Sequence, residues 1–179
     1  MASYFSCSRL AVGSVREKSW RQSQQAFPDR ESSSEGGRQD AARHCIWQAL
    51  SAYIESPATA AMWGDAHEKD NPAGTDPVYA AAAENMDQLN NVVGRNIGIR
   101  AKGMARPRGT KTEGRSPEGW IYSTCISLAK QAIFFDSNSA SRRQALAAAS
   151  ANARSNPDRD LPLVYIKEGP HPRCATEQC

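Results

Sequence analysis

Apolar residues recur at three- and four-residue intervals along most of the chain, and one short run alone has the composition of a strand. In "DAARHCIWQALSAYI" the residues Ala42, Ile46, Ala49, Leu50 and Tyr53 share one face, which predicts a helix that Pro57 stops. A second, shorter helix is predicted over "ATAAMWGDAHE", closing before the turn signal Asn71-Pro72. The third follows Asp76, a capping residue, and Pro77, which suits a first helical turn; it runs through "VYAAAAENMDQLNNVVGRNIGIRA". Gly94 and Gly98 weaken that helix but permit close packing against a neighbour. "WIYSTCISLAKQAIFF" places Ile121, Cys125, Leu128, Ala132 and Phe135 on one face and predicts a core helix. "SNSASRRQALAAASANARS" reads as an alanine-rich helix behind a serine cap, and "LPLVYI", Leu161 to Ile166, as the strand candidate.

These elements predict a mainly α protein, a compact helical domain with at most a short C-terminal strand or hairpin. Residues 1–37 read as a flexible N-terminal segment. Within it "REKSWRQSQQAF" is expected to form one short helix and "ESSSEGG", Glu31 to Gly37, a polar linker. Residues 38–168 read as the helical domain, interrupted by a loop insertion over 102–119, where Gly, Pro and charge are dense. Residues 169–179 read as a loose tail. No internal repeat is visible.

Composition narrows the function classes only slightly. The chain has 179 residues, 40% hydrophobic and 23% charged, as in an ordinary globular domain. A formal net charge of +3, spread rather than striped, gives no clear nucleic-acid signature. The start, "MASYFSCSRLAVGSVREKSW", lacks the positive region and long apolar run of an ordinary signal peptide. The most apolar later stretch contains Lys130 and is too short to span a bilayer, so no transmembrane segment is expected. The five cysteines form no C-x-x-C pair and are expected as free thiols, with a Cys174–Cys179 loop as the alternative in an oxidising compartment.

The candidate chemistry lies in polar stripes. Asp40, Arg43, His44 and Trp47 follow helical spacing on the first helix; Glu84, Asp87, Asn90, Asn91, Gly94 and Arg95 do so on the third. Such stripes usually face water, but exposed faces favour Lys, Glu, Gln and Arg over the weak helix formers Asp, Asn and His. Two of the three histidines, His44 and His67, fall in this region, with Glu68 beside His67. A site built between the helices is therefore expected. His44, His67 and Asp87 are suitable ligands for a divalent metal, zinc or another, with Glu68 as general base for a bound water or Glu84 completing the shell. The spacing is not that of H-E-x-x-H. Without a metal, Glu68 and Asp87 form an acid/base pair, with Arg43, Asn90, Asn91 and Arg95 as substrate-binding candidates and Asp40 and Glu84 as supporting groups. Bland readings stand beside these: His44 as a core histidine bonded to Asp87, Asp40 as a complement to the helix N-terminus, Arg95 as a partner of Asp40 or Glu84, and Trp47 and Trp63 as packing. No Gly-rich phosphate loop, nucleophile elbow or EF-hand loop is present.

The order "DAARHCIWQAL", "GDAHE", "NP" and "ENMDQLNNVVGRNIG" resembles a poorly characterised bacterial domain family found at the C-termini of polymorphic toxins and among secreted effectors. That family carries D-A-x-R-H-x-x-W-N-A-L, then D-A-H-E, then M-D-x-x-N-N-x-x-G-R. The resemblance covers Gln39 to Ile99 and carries over Asp40, Arg43, His44, Trp47, His67, Glu68, Met86, Asp87, Asn90, Asn91, Gly94 and Arg95. The chain departs at Gln48, where the family prefers Asn, and in a longer loop after Ile99. The resemblance implies toxin biology more firmly than a reaction: delivery into a target cell by a specialised secretion apparatus, and a cognate immunity protein in the producing cell, for which the net charge of +3 favours an acidic surface.

The expectation is an antibacterial effector with hydrolase activity on a cell-envelope substrate, peptidoglycan or its lipid-linked precursor, with the target's periplasm favoured over its cytoplasm. The first alternative is a cytoplasmic nuclease toxin using the basic cluster Arg95, Arg100, Lys102, Arg106, Arg108, Lys111 and Arg115. The second is a non-enzymatic helical interaction module whose polar residues form a buried network.

Overall fold

The computed structural model describes residues 2–28, 36–70, 77–104, 116–155 and 161–167. Their elements are α1 (Ala2–Ala26), α2 (Arg38–Ile54), α3 (Pro57–Asp70), α4 (Pro77–Met104), α5 (Pro117–Lys130), β1 (Ile133–Phe134), α6 (Ala140–Ser155) and β2 (Val164–Tyr165). The mainly α expectation is met. Among the described residues no helix is long and apolar enough to cross a membrane. The turn at Asn71-Pro72, the Asp76 cap, most of the "ESSSEGG" linker, the basic residues Arg106, Arg108, Lys111 and Arg115, and the tail with His171, Cys174 and Cys179 lie outside the described residues.

α2 is the central helix. Almost every side chain from Gln39 to Ala52 is buried, polar ones included. Its apolar side packs with Val15 of α1, Ile121, Cys125 and Ala129 of α5, and Val93 and Ile97 of α4. α4 lies along another face at very short range: a Cβ at Gly94 would stand 2.5 Å from the Cys45 carbonyl oxygen, and one at Gly98 2.3 Å from that of Ala49. Two helices with side chains throughout cannot approach so closely, so the glycine pair sets their separation. A second core, formed by Met86, Leu89 and Val92 of α4, Leu146 and Ala153 of α6, and Val164 and Ile166, occupies the other flank of α4.

Four sequence expectations are corrected. The N-terminal segment is not loose with one short helix: α1 spans 25 residues and inserts Val15 into the core. The predicted long core helix ends at Lys130, and Ile133–Phe134 instead pair in parallel with Val164–Tyr165, α6 making the crossover. Only two residues pair on each side, so the apolar period of "WIYSTCISLAKQAIFF" continues smoothly across a change of structure that a helical face cannot reveal. Cys45 and Cys125 are not free thiols but form a disulfide joining α2 to α5, with Cα atoms 5.7 Å apart. The loop insertion is shorter than 102–119 among the described residues, since α4 runs to Met104 and Ser116 caps α5 by accepting from the Gly119 N–H at 3.1 Å.

Gly36, assigned to the linker, is also a junction. At φ +79° it is in the left-handed region, and its carbonyl accepts from the N–H groups of Ile166 and Lys167 at 2.8 and 2.9 Å. Its own N–H donates to Asp40 Oδ2 at 2.8 Å, tying the strand end to the first turn of α2.

Gly98→Ala is expected to force the two helices apart and to cost about 1–3 kcal/mol or more. Denaturant unfolding of native and variant protein checks this; an unchanged midpoint would refute the close-approach argument.

Candidate functional site

The face of α2 carrying Asp40, Arg43 and His44 meets the face of α4 carrying Asp87 and Asn91, and α3 closes over them with His67 and Glu68. α3 comes close because Gly64 leaves room: a Cβ there would lie 3.0 Å from Gln48 Nε2 and 3.2 Å from Asn91 Nδ2. The predicted polar stripes therefore meet inside the protein rather than facing water.

His44 is the hub, 1% exposed. Arg43 Nη2 donates to its Nε2 at 3.1 Å. A guanidinium only donates, so Nε2 accepts and the ring proton resides on Nδ1, which donates to Asn91 Oδ1 at 3.0 Å. Asn91 Nδ2 in turn reaches Glu68 Oε1 at 3.5 Å, a weak hydrogen bond. A chain of donors thus runs from Arg43 through His44 and Asn91 to the Glu68 carboxylate. Glu68 Oε1 also lies 3.9 Å from His44 Nδ1, its side chain only 5% exposed.

On the other side of the ring, Asp87 Oδ1 and Asp40 Oδ1 approach Nε2 to 3.2 and 3.6 Å. Three acceptor atoms converge there, and the Arg43 guanidinium is the cation among them, held by Asp40 through its Nε at 2.9 Å and through its Nη2. Burial, reinforced by the Arg43 charge, lowers the His44 pKa from 6.5 to about 4, so His44 is neutral near pH 7. Burial raises Glu68 from 4.5 to about 7, opposed by the Asn91 hydrogen bond and supported by the negative charge of Asp40.

Two donor groups could hold a metal ion: His44, His67 and Glu68; and Asp40, His44 and Asp87, the candidate ligand atoms within each group lying within 4.8 Å of one another. The predicted set of His44, His67 and Asp87 is not one of them: His67 is grouped with Glu68, and Asp87 with Asp40. In the second group Arg43 already supplies the positive charge. In the first, His44 Nδ1 would have to give up its bond to Asn91.

A cleft of about 230 Å³ opens beside the cluster, lined by Arg16, Arg43, His44, Trp47, Trp63 and His67 among others. His67 packs edge-on against Trp47, ring centroids 5.3 Å apart, and lies 6.0 Å from the His44 ring. Glu68 is not on the cleft wall; its carboxylate sits behind the histidines.

The remaining predicted residues take other places. Asn90 faces the second core, where its Nδ2 donates to the Val164 carbonyl and its Oδ1 accepts from the Val164 N–H, both at 3.0 Å. Both ends of its amide are engaged with β2, so a substrate-binding role is corrected to a structural one. Arg95 Nη1 donates to Gln48 Oε1 at 3.0 Å rather than pairing with Asp40 or Glu84. Gln48, the departure from the family pattern, is thus the acceptor for Arg95. Glu84 is exposed and acts on Glu68 only as a nearby negative charge. Sequence reasoning missed Arg16, which lies in the segment read as loose, and it assigned Trp47 and Trp63 to packing although both line the cleft.

Asn90→Ala would leave the Val164 N–H and carbonyl without their partners and is expected to cost about 1–3 kcal/mol in thermal unfolding. Unaltered stability would refute the role given to Asn90. A second expectation follows from Glu68. Its raised pKa means that the folded chain holds a proton the unfolded chain has released between pH 4.5 and about 7, so this contribution to stability is lost as pH rises through 7. The lowered His44 pKa acts oppositely between about 4 and 6.5, favouring the folded state as pH rises. Comparing native protein with Glu68→Gln cancels the His44 part. Between pH 5 and 8 the native melting temperature should fall relative to the variant by several degrees. Parallel curves would show that Glu68 titrates in its ordinary range.

A family model described as a domain of unknown function (DUF6973) matches residues 7–113, more than half of the chain, and spans all the residues of the cluster. No curated protein and no solved structure matches the chain.

Proposed function

Taking as premise that the chain belongs to this family of unknown function, DUF6973, we propose that it is an antibacterial effector, a hydrolase acting on a cell-envelope substrate such as peptidoglycan or its lipid-linked precursor. The observation that carries the enzymatic reading is the placement of His44 and His67 from two helices in one cleft wall, with the Glu68 carboxyl group, its pKa raised to about 7, directly behind them. A group with that pKa exchanges protons at little cost at neutral pH. In this reading a water in the cleft loses its proton to His67 as its oxygen attacks the scissile bond, the same imidazole returns a proton to the leaving group, and Glu68 supports the transient imidazolium. His44 and Asn91 hold Glu68 in place, and Arg43 fixes the His44 tautomer.

A divalent ion such as zinc fits the same reading at His44, His67 and Glu68, two imidazoles and a carboxylate, where it would polarise the attacking water. The periplasm is favoured as the place of action because the buried Cys45–Cys125 disulfide suits an oxidising compartment. The resemblance to toxin domains adds delivery by a secretion apparatus and neutralisation by an immunity protein, an acidic one to suit the chain's net charge of +3. Of the nuclease alternative's basic cluster, the described residues are Arg95, bonded to Gln48, Lys102, bonded to the Glu55 carbonyl, and Arg100, which is exposed.

Expression in a bacterial host with and without a periplasmic signal sequence tests the proposal. Growth arrest is expected only with the signal sequence, and His67→Ala is expected to abolish it while retaining a cooperative melt. Killing from the cytoplasm alone, or killing that survives the substitution, would overturn it. If the ion is required, purified native protein should lose activity on cell-wall material with a chelator and recover it with added zinc.

A further inference from the structure

The cleft is chemically lopsided. Among the described residues that line it are two arginines, two histidines and two tryptophans, and no carboxylate. The acid side chains behind this wall are buried: Asp40, 2% exposed, is held by Arg43 and the Gly36 N–H, Asp87 lies 3.2 Å from His44 Nε2, and Glu68 lies 3.9 Å from His44 Nδ1. The arginines are not fully used. Arg43 binds Asp40 and His44 through Nε and Nη2, and its Nη1 makes no hydrogen bond to a described residue. Arg16, on the exposed face of α1, is paired with no acid among the described residues.

Behind the wall lies a donor with no partner among the described residues. Trp47 is 8% exposed, and its buried Nε1–H has no acceptor among the described residues. That N–H is closed off from the cleft, so what Trp47 offers a bound group is the flat side of its ring.

We propose that the cleft binds a phosphoryl group, carried on a small or lipid-linked molecule, with Arg16 of α1 and Arg43 of α2 as its two clamps. This deepens the hydrolase reading and takes its substrate class from the same cleft. Guanidinium N–H groups approaching from two helices, the whole Arg16 fork and the Arg43 Nη1, match an oxyanion that offers oxygens in several directions, whereas a single carboxylate is satisfied by the one fork of Arg16. The indoles of Trp47 and Trp63 supply flat apolar walls for the part of the molecule next to the phosphate. A volume of about 230 Å³ accommodates a phosphate or pyrophosphate with its first attached atoms, not a length of nucleic-acid strand. Arg16 then has a function no helical pattern in the sequence reveals: α1 completes the site rather than merely covering α2.

Calorimetric titration of the full chain with inorganic phosphate, pyrophosphate and acetate tests this without any assay of activity. Pyrophosphate should bind more tightly than phosphate, and acetate at least tenfold more weakly than either. Arg16→Ala should weaken pyrophosphate binding by about tenfold, as expected for one charge-assisted contact, with little change in melting temperature because the side chain is exposed. Arg16→Lys should restore part of the affinity. Equal affinity in native protein and Arg16→Ala, or acetate binding as well as phosphate, would overturn the proposal. So would a single-stranded oligonucleotide that binds through Arg16 and is not displaced by pyrophosphate. Periplasmic killing that needs His67 without Arg16-dependent pyrophosphate binding would refute this inference and spare the hydrolase. Arg16-dependent binding without killing would do the reverse.

Discussion

The close approach of α2 and α4 is the constraint on which the rest depends. With Gly94 and Gly98 lying against the carbonyls of Cys45 and Ala49, the two backbones are too near for large side chains at the crossing. Flanking residues are thereby pressed together, and on one flank those residues are polar. Buried donors and acceptors must find partners or cost free energy. The run from Arg43 through His44 and Asn91 to Glu68 is the outcome, and the neutrality of His44 and the high pKa of Glu68 follow from the same burial.

This explains why the polar stripes are made of short side chains. Asp, Asn and His place their polar atoms at fixed reach, so a helix–helix gap of a few ångströms selects them over Lys or Glu. Glu68 comes from α3, one helix further away, and needs its longer stem. Arg43 acts in the opposite sense, bringing a cation into a nest of acceptors formed by Asp40, Asp87 and His44 while remaining at the edge of the cleft.

Much of the candidate site was legible in the residues. The spacing of Asp40, Arg43 and His44 on one helix and of Asp87 and Asn91 on another, with His67–Glu68 between them, is a pattern of local geometry, and helical geometry is local. What was misread depends on partners far away in sequence. Asn90 and Asn91 are adjacent and chemically identical, yet a 100° turn sends one to the backbone of Val164 and the other to His44. Cys45 and Cys125 carry no mark of pairing because 80 residues separate them. The two-residue strands are too short to break the apolar period that surrounds them.

The sequence by itself determined the helical class, the elements α2 to α4, and the chemical types available to the site, because amphipathic spacing and side-chain chemistry are properties of short segments. Tertiary structure alone decided which polar residues were buried together, that His44 rather than His67 became the hub, that α1 carried Arg16 to the cleft, and that Glu68 lay behind the wall instead of on it. Those outcomes depend on distances between helices, and only the packed chain sets such distances.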